Sequence, residues 1–260
     1  SCLVGSEMCI RDRNYRGLGL PLNFAQMLER RRPVEAADSQ RFALELANLG
    51  VSVRLTMAWQ GRDHWLLVRQ QRPDRGDTVL KLISGYVPAH ELNLPLLTAI
   101  QEVAEECLIE NGGSWLGGRY ADTWLPTPYP LRYHEDSHFR LSPLSGAARP
   151  VQCGNLMLME RPRAYVHLPT ASLQLVYDLR LELPKDCRQP SLFHVDERLE
   201  DGELVARLER RRPDIYLLPL TNGLPTGELC TLRRGELVAA STRGLWPVSY
   251  THLRAHETRG

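Results

Sequence analysis

The chain lacks any run of eighteen apolar residues, so no helix is expected to cross a membrane. It lacks a C-x-x-C pair as well. Cys107, Cys153, Cys187 and Cys230 are scattered, which speaks against a zinc knuckle or a disulfide framework and leaves reduced cysteines in a cytoplasmic protein as the expectation. Charge of one sign is also missing: 32 Lys and Arg stand against 31 Asp and Glu. That balance argues against a dedicated surface for extended nucleic acid or a polybasic membrane anchor, while leaving room for a local basic pocket for phosphates. No internal repeat and no low-complexity tract is visible.

The two ends stand apart from the rest. SCLVGSEMCIRDR at 1–13 and the segment 247–260, ending VSYTHLRAHETRG, look like translated sequencing adapter and are set aside from fold reasoning, with Cys2 and Cys9. The expectation is that the natural gene was cut at one or both ends. What remains is long enough for one generous domain with a real core.

The most informative stretch is KLISGYVPAHELNLPLLTAIQEVAEECLIENG, from Lys81 to Gly112. It reads as a short apolar strand, a turn at Gly85, a loop holding Pro88 and Glu91, and an amphipathic helix with Pro95 in its first turn. Leu96, Leu97, Ile100, Val103, Ala104, Cys107 and Leu108 recur at helical spacing and cover one face. Glu102, Glu105 and Glu106 fall together on the other. Like charges at this spacing repel by roughly a few tenths of a kcal/mol per pair, so the cluster invites a cation. Hard oxygen ligands suit Mg²⁺ or Mn²⁺. The plainer reading is a surface helix whose acidic face is solvated, in an unrelated α/β protein.

With these residues in place, the segment resembles the box of the Nudix hydrolases, G-x5-E-x7-R-E-U-x-E-E-x-G-U with U aliphatic. Gly85 and Glu91 match its first two fixed positions, and Glu102, Val103, Glu105, Glu106 and Ile109 match its acidic second half. The chain departs from the box in three ways: nine residues separate Glu91 from the arginine position, that position is Gln101, and Leu108 stands where the box has glycine. A helix that runs one turn further and stops at Asn111 and Gly112 accounts for the last.

The resemblance implies an α/β fold, a Nudix-like α/β/α sandwich with a mixed sheet. It implies a phosphoanhydride hydrolase acting on a nucleoside diphosphate derivative, a small-molecule nucleotide, with Mg²⁺ or Mn²⁺. Glu105 and Glu106 would be the principal metal ligands, Gly85 a backbone ligand, and Glu102 a ligand or part of the group that activates water. Gln101 and the longer loop keep open an alternative, a Nudix-fold module that binds nucleotide without cleaving it.

Elsewhere the chain predicts an N-terminal helical extension over 14–50, with one short helix ending at Arg30, Arg31 and Arg32 and a second capped by Asp38 or Ser39 that stops at Gly50. The Nudix-like domain spans 51–246. A hairpin is expected from Val51 to Gln70, turning at 61–63, then a turn at Asp74 to Gly76 and a strand from Thr78 to Ile83. Trp115 to Val151 is rich in proline and aromatics with little periodicity and reads as part of an insertion over about 113–170, a lid or substrate loop. Arg119, Arg132 and Arg140 are candidates for phosphate contacts there, and Trp115, Trp124 or Tyr129 for stacking on a base. Tyr133 to His138 form a second polar cluster, in which His134 and His138 have the spacing to share a helix face and bind a metal, but with no apolar helical pattern around them they read as a loop tip. Ser172 to Leu183 is a central strand, Glu203 to Arg211 a helix, Ile215 to Leu218 a buried strand, and the last hairpin turns at Arg234 and Gly235. Glu197 and Glu200 are candidates for a further metal ligand.

Overall fold

The computed structural model describes residues 15–17, 20–22, 48–72, 77–127, 129, 131–144, 150–153, 156–159, 162–167, 172–200, 203–208 and 215–241. In chain order the strands are β1 (Tyr15–Gly17), β2 (Leu20–Leu22), β3 (Asn48–Trp59), β4 (Arg62–Arg72), β5 (Asp77–Lys81), β6 (Ile83–Tyr86), β7 (Leu108–Asn111), β8 (Ser114–Tyr120), β9 (Thr123–Trp124), β10 (Tyr133–Pro143) and β11 (Pro150–Cys153). They continue with β12 (Leu156–Met159), β13 (Arg163–His167), β14 (Ser172–Glu182), β15 (Pro190–Phe193), β16 (Val195–Glu200), β17 (Glu203–Leu208), β18 (Ile215–Thr221), β19 (Leu224–Pro225), β20 (Cys230–Arg233) and β21 (Glu236–Ala239). Among the described residues the one α-helix is α1 (Pro95–Glu106), preceded by a 3₁₀ turn over Ala89–Glu91.

Local chemistry builds the hairpins. Trp59 pairs with Arg62, so Gln60 and Gly61 alone make the β3–β4 turn, both at positive φ, a geometry whose twist matches the flanking strands. The β20–β21 pair turns likewise at Arg234 and Gly235. At the centre, β14 runs parallel to β3 over ten residue pairs, from Ser172 beside Asn48 to Leu181 beside Met57. Val51, Val53 and Leu55 of β3 and Tyr177, Leu179 and Leu181 of β14 alternate onto one face and enter the main core.

The main sheet is mixed and runs β15-β7-β8-β10-β14-β3-β4-β18-β20-β21. Its two ends meet. The Gly235 N–H donates to the Pro190 carbonyl (2.8 Å), and the Arg234 N–H donates to Ser191 Oγ (2.8 Å). α1 lies on the inner face of this curled sheet, with Leu96, Ala99, Ile100 and Val103 in one cluster with Leu116, Phe139, Leu179 and Leu181. Each such aliphatic side chain stabilises the fold by about 1.5–3 kcal/mol on burial. The other face of β4 and β18 holds a second cluster of Trp65, Leu67, Tyr216, Leu218 and Leu220. On that face Arg54 Nε donates to Asp178 Oδ1 (2.6 Å) and stacks over Trp65 (4.9 Å), tying β14 to β3 and β4.

The described fold is thus a mixed sheet, mostly strand, and several expectations change. Gly85 lies inside β6, paired with Val51, and not at a turn. The strand expected from Thr78 to Ile83 is two strands that separate at Leu82, β5 on β4 and β6 on β3. α1 ends at Glu106 because Cys107 is already extended (φ −111°, ψ 94°), and Leu108–Asn111 pairs with β15. The described residues of 113–144 are largely strand, with β8 and β10 paired in parallel inside the sheet, so this part of the chain is not the structureless loop its prolines and aromatics suggest. Glu203–Leu208 is a strand paired with β16 and not a helix. The second N-terminal helix does not reach Gly50, since β3 already begins at Asn48. Helical segments expected within 23–47, the turn at Asp74 to Gly76, and both adapter-like ends lie outside the described residues.

No helix among the described residues is long and apolar enough to cross a membrane.

Candidate functional site

The loop between β6 and α1 is a ladder of tight backbone turns. The Glu91 N–H donates to the Pro88 carbonyl (3.0 Å), Leu94 N–H to Glu91 (2.8 Å) and Leu97 N–H to Leu94 (2.9 Å), handing the chain into the helix at Pro95. Pro at this first position has no N–H to leave unsatisfied. The β6 end is fixed where the Val87 N–H donates to the Leu49 carbonyl (3.0 Å). The long spacer after Glu91 is therefore ordered structure held at both ends.

This loop turns the acidic side of α1 inward. Thr98 and Glu102 lie one helical turn apart and both are buried, Glu102 at 7% exposure. The Glu102 carboxylate rests on the backbone of Gly85, so closely that a Cβ at position 85 would overlap its Cδ and both oxygens. Gly85 is thus required by close approach and not by a turn. A solvated acidic face is not what is found: the helix is covered on its apolar side by the sheet and at Glu102 by β6.

Glu105 and Glu106 are half-buried at the end of the helix. Glu106 Oε2 is inaccessible to solvent and has no hydrogen-bond partner; His194 Nε2, just after β15, lies 3.7 Å away. An orphaned carboxylate oxygen in such a place has an unmet electrostatic need that a cation would satisfy. Beside it, burial, with the Glu106 charge adding to it, pushes the Cys107 thiol up to about 12. Cys107 is inert packing.

Glu91 is held by a residue the sequence pattern did not single out. Thr98 Oγ1 donates to Glu91 Oε2 at 2.5 Å, and His90 Nε2 lies 3.5 Å from the other oxygen. Thr98 stands seven residues after Glu91, one turn before Gln101. A hydroxyl on the first turn of a helix facing a carboxylate in the preceding loop was the signal available in the sequence.

The donor set is the chemistry of a hard cation: carboxylates, a backbone carbonyl at Gly85, and no soft ligand but the protonated Cys107. The orphaned Glu106 oxygen and the contact of Glu102 with Gly85 fit a divalent ion in kind. Among the described residues, however, no three His, Cys, Asp or Glu side chains are arranged around a single point that would hold a metal. Glu197 and Glu200 fall on β16, where side chains lie outside the described residues.

The residues expected to contact substrate are divided. Trp115 is buried edge-on against Phe193 (5.5 Å), and Tyr129 packs on the same cluster. Arg132 is exposed. Arg119, Arg140 and Trp124 come together, but on strands and facing away from α1, because they alternate with the core residues Tyr120, Phe139 and Leu141. His134 and His138 are on β10, not at a loop tip: His134 Nε2 is 2.8 Å from the Asn111 carbonyl, and His138 meets the edge of Trp124.

Compared with models of known protein families and with curated proteins, the chain matches none.

Proposed function

We propose that the chain is a Nudix-type hydrolase cleaving a phosphoanhydride bond in a nucleoside diphosphate derivative with Mg²⁺ or Mn²⁺, and that β3, β6, α1 and their neighbours form the centre of a Nudix-like α/β/α sandwich. The observation that carries the reading is the seating of Glu102 on Gly85, which joins the two halves of the box-like segment across seventeen residues of chain. Gly85, Glu102, Glu105 and Glu106 are the residues that would hold the metal. When bound, the ion would lower the pKa of a water and neutralise charge growing on the phosphoryl and leaving oxygens.

The chain's own residues do the positioning. Thr98 fixes Glu91, and the backbone turns from Pro88 to Leu97 fix the loop, so that the Gly85 carbonyl and the helix carboxylates keep one arrangement. Glu102 serves as a ligand or receives the proton of the attacking water. The buried thiols of Cys107 and Cys187 suit a reducing cytoplasm.

The test is a panel of nucleoside diphosphate derivatives assayed for phosphate-bond cleavage with Mg²⁺ and with chelator, using the wild type and Glu102→Gln. Turnover that needs metal and is lost in Glu102→Gln supports the hydrolase. A second reading, a nucleotide-binding module without turnover, is favoured by the lack of an assembled three-group ligand set among the described residues and by the uncharged Gln101. It predicts nucleotide binding with no cleavage above the Glu102→Gln control.

A further inference from the structure

On the outer face of the sheet, away from α1, four strands bring one row of side chains into register. Trp124 of β9 pairs with Arg119 of β8, Arg119 with Arg140 of β10, and Arg140 with Glu182 of β14. Cross-strand neighbours in register share a face. Two residue pairs along, and so on the same face, Gly117 stands beside His138. The missing side chain at Gly117 makes room for the Trp124 ring, whose Cζ3 lies 3.3 Å from where a Cβ would be. The ring meets His138 edge-on (5.0 Å, 66°) and carries the Arg119 guanidinium 5.1 Å from its centre. Arg119 is itself held by a hydrogen bond from Nη2 to the Asp122 carbonyl (2.8 Å).

So large an indole, propped against a glycine and a histidine, would ordinarily be covered, yet Trp124 is 51% exposed, and Arg140, on the far side of Arg119 in the same row, is exposed as well. Arg119 Nε is buried with no hydrogen-bond partner. From this juxtaposition we propose that the outer face of β8, β9 and β10 is a nucleotide site, separate from the acidic site, in which Trp124 stacks on the base and Arg119 and Arg140 take the phosphate. An exposed indole with one guanidinium over its ring and a second on the next strand of the row matches the two ends of such a ligand, π-surface and anion. His138 is held below its usual pKa by burial and by the charges of Arg119 and Arg140, so the crowding of positive charge here is relieved by an anion. Glu182, exposed at the next position of the row, ends the cationic patch after two arginines. With a net charge of only +1 over the whole chain, the face suits one free nucleotide and not a continuous nucleic-acid backbone.

The experiment is calorimetric titration of the full chain with ADP in chelator, which silences a metal-dependent site, for wild type, Trp124→Ala, Arg140→Gln and Glu106→Gln. The expected result is ADP binding to wild type and Glu106→Gln alike, weakened about tenfold or more in Trp124→Ala and severalfold in Arg140→Gln. Arg140→Gln changes an exposed side chain and guards against misfolding of the tryptophan variant. Absence of ADP binding to wild type, or equal binding by Trp124→Ala and wild type, overturns the proposal. Weakening by Glu106→Gln comparable to that by Trp124→Ala overturns it too, by assigning the binding to the acidic site. Binding of an eight-residue oligothymidylate but not of ADP refutes the free-nucleotide assignment.

Discussion

Gly85→Ala tests the geometry of the acidic site without reference to activity. In extended backbone, as in β6, alanine is ordinarily favoured over glycine, by about 0.4–1 kcal/mol through the unfolded chain. Here the added methyl occupies the space of the Glu102 carboxylate. That group must rotate away from β6 while the helix around it stays packed. Forcing a buried side chain from its place, or leaving its oxygens without their surroundings, costs about 1–3 kcal/mol. The net expectation is a loss of about 1–2 kcal/mol, or roughly 3–6 °C in Tm for a domain of this size. In a Glu102→Ala background the obstruction is gone, and the same Gly85→Ala change becomes neutral or stabilising. A double-mutant cycle by urea denaturation should therefore return a coupling of about 2 kcal/mol between positions 85 and 102. Equal effects of Gly85→Ala in both backgrounds would refute the close approach on which the site is built.

Thr98→Val removes the hydroxyl that holds Glu91 and should cost about 1 kcal/mol in stability while lowering kcat more than it raises KM, measured on whichever substrate the panel identifies. The Cys107 thiol, raised from 9.0 to about 12 in the folded state, keeps its full contribution below pH 9; above that the unfolded chain ionises first, so stability falls as pH rises towards 12, by at most about 1.4 kcal/mol per pH unit. Alkaline unfolding of wild type against Cys107→Ala should show this difference, and parallel curves would contradict it. His64, buried with an unpartnered Nδ1, has its pKa lowered from 6.5 by burial, so its contribution is present above pH 6.5 and is lost as pH falls below it. His64→Asn should flatten acid unfolding in that range, and an unchanged acid limb would count against burial as the cause.

Much of the fold is written locally. The β3–β4 and β20–β21 hairpins follow from alternation on either side of two turn residues, and β14 from five apolar residues at every second position. Other elements depend on partners distant in the chain. Leu204, Val205 and Leu208 satisfy a helical spacing as well as a strand, and pairing of all six residues of β17 with β16 decides the matter. Cys107 and Leu108 continue the apolar stripe of α1, yet β15, eighty residues later, draws Leu108 to Asn111 into the sheet. β8 was hidden by Gly117 and Gly118, which look like a turn but make room for Trp124 and for Phe139 and Leu125 from neighbouring segments. At the acidic site the residue types were legible from spacing. The burial of Glu102 was not, because it depends on Gly85 lying across from it in β6.

Whether Gly85 and the α1 carboxylates hold a divalent cation is decided by titrating Mn²⁺ into the full chain and counting the free ion by electron paramagnetic resonance. The expected result is stoichiometric Mn²⁺ binding by the wild type, displaceable by Mg²⁺ and lost in both Glu102→Gln and Glu106→Gln, each still folded. Mn²⁺ binding that is absent from the wild type, or that persists unchanged in both variants, would contradict it.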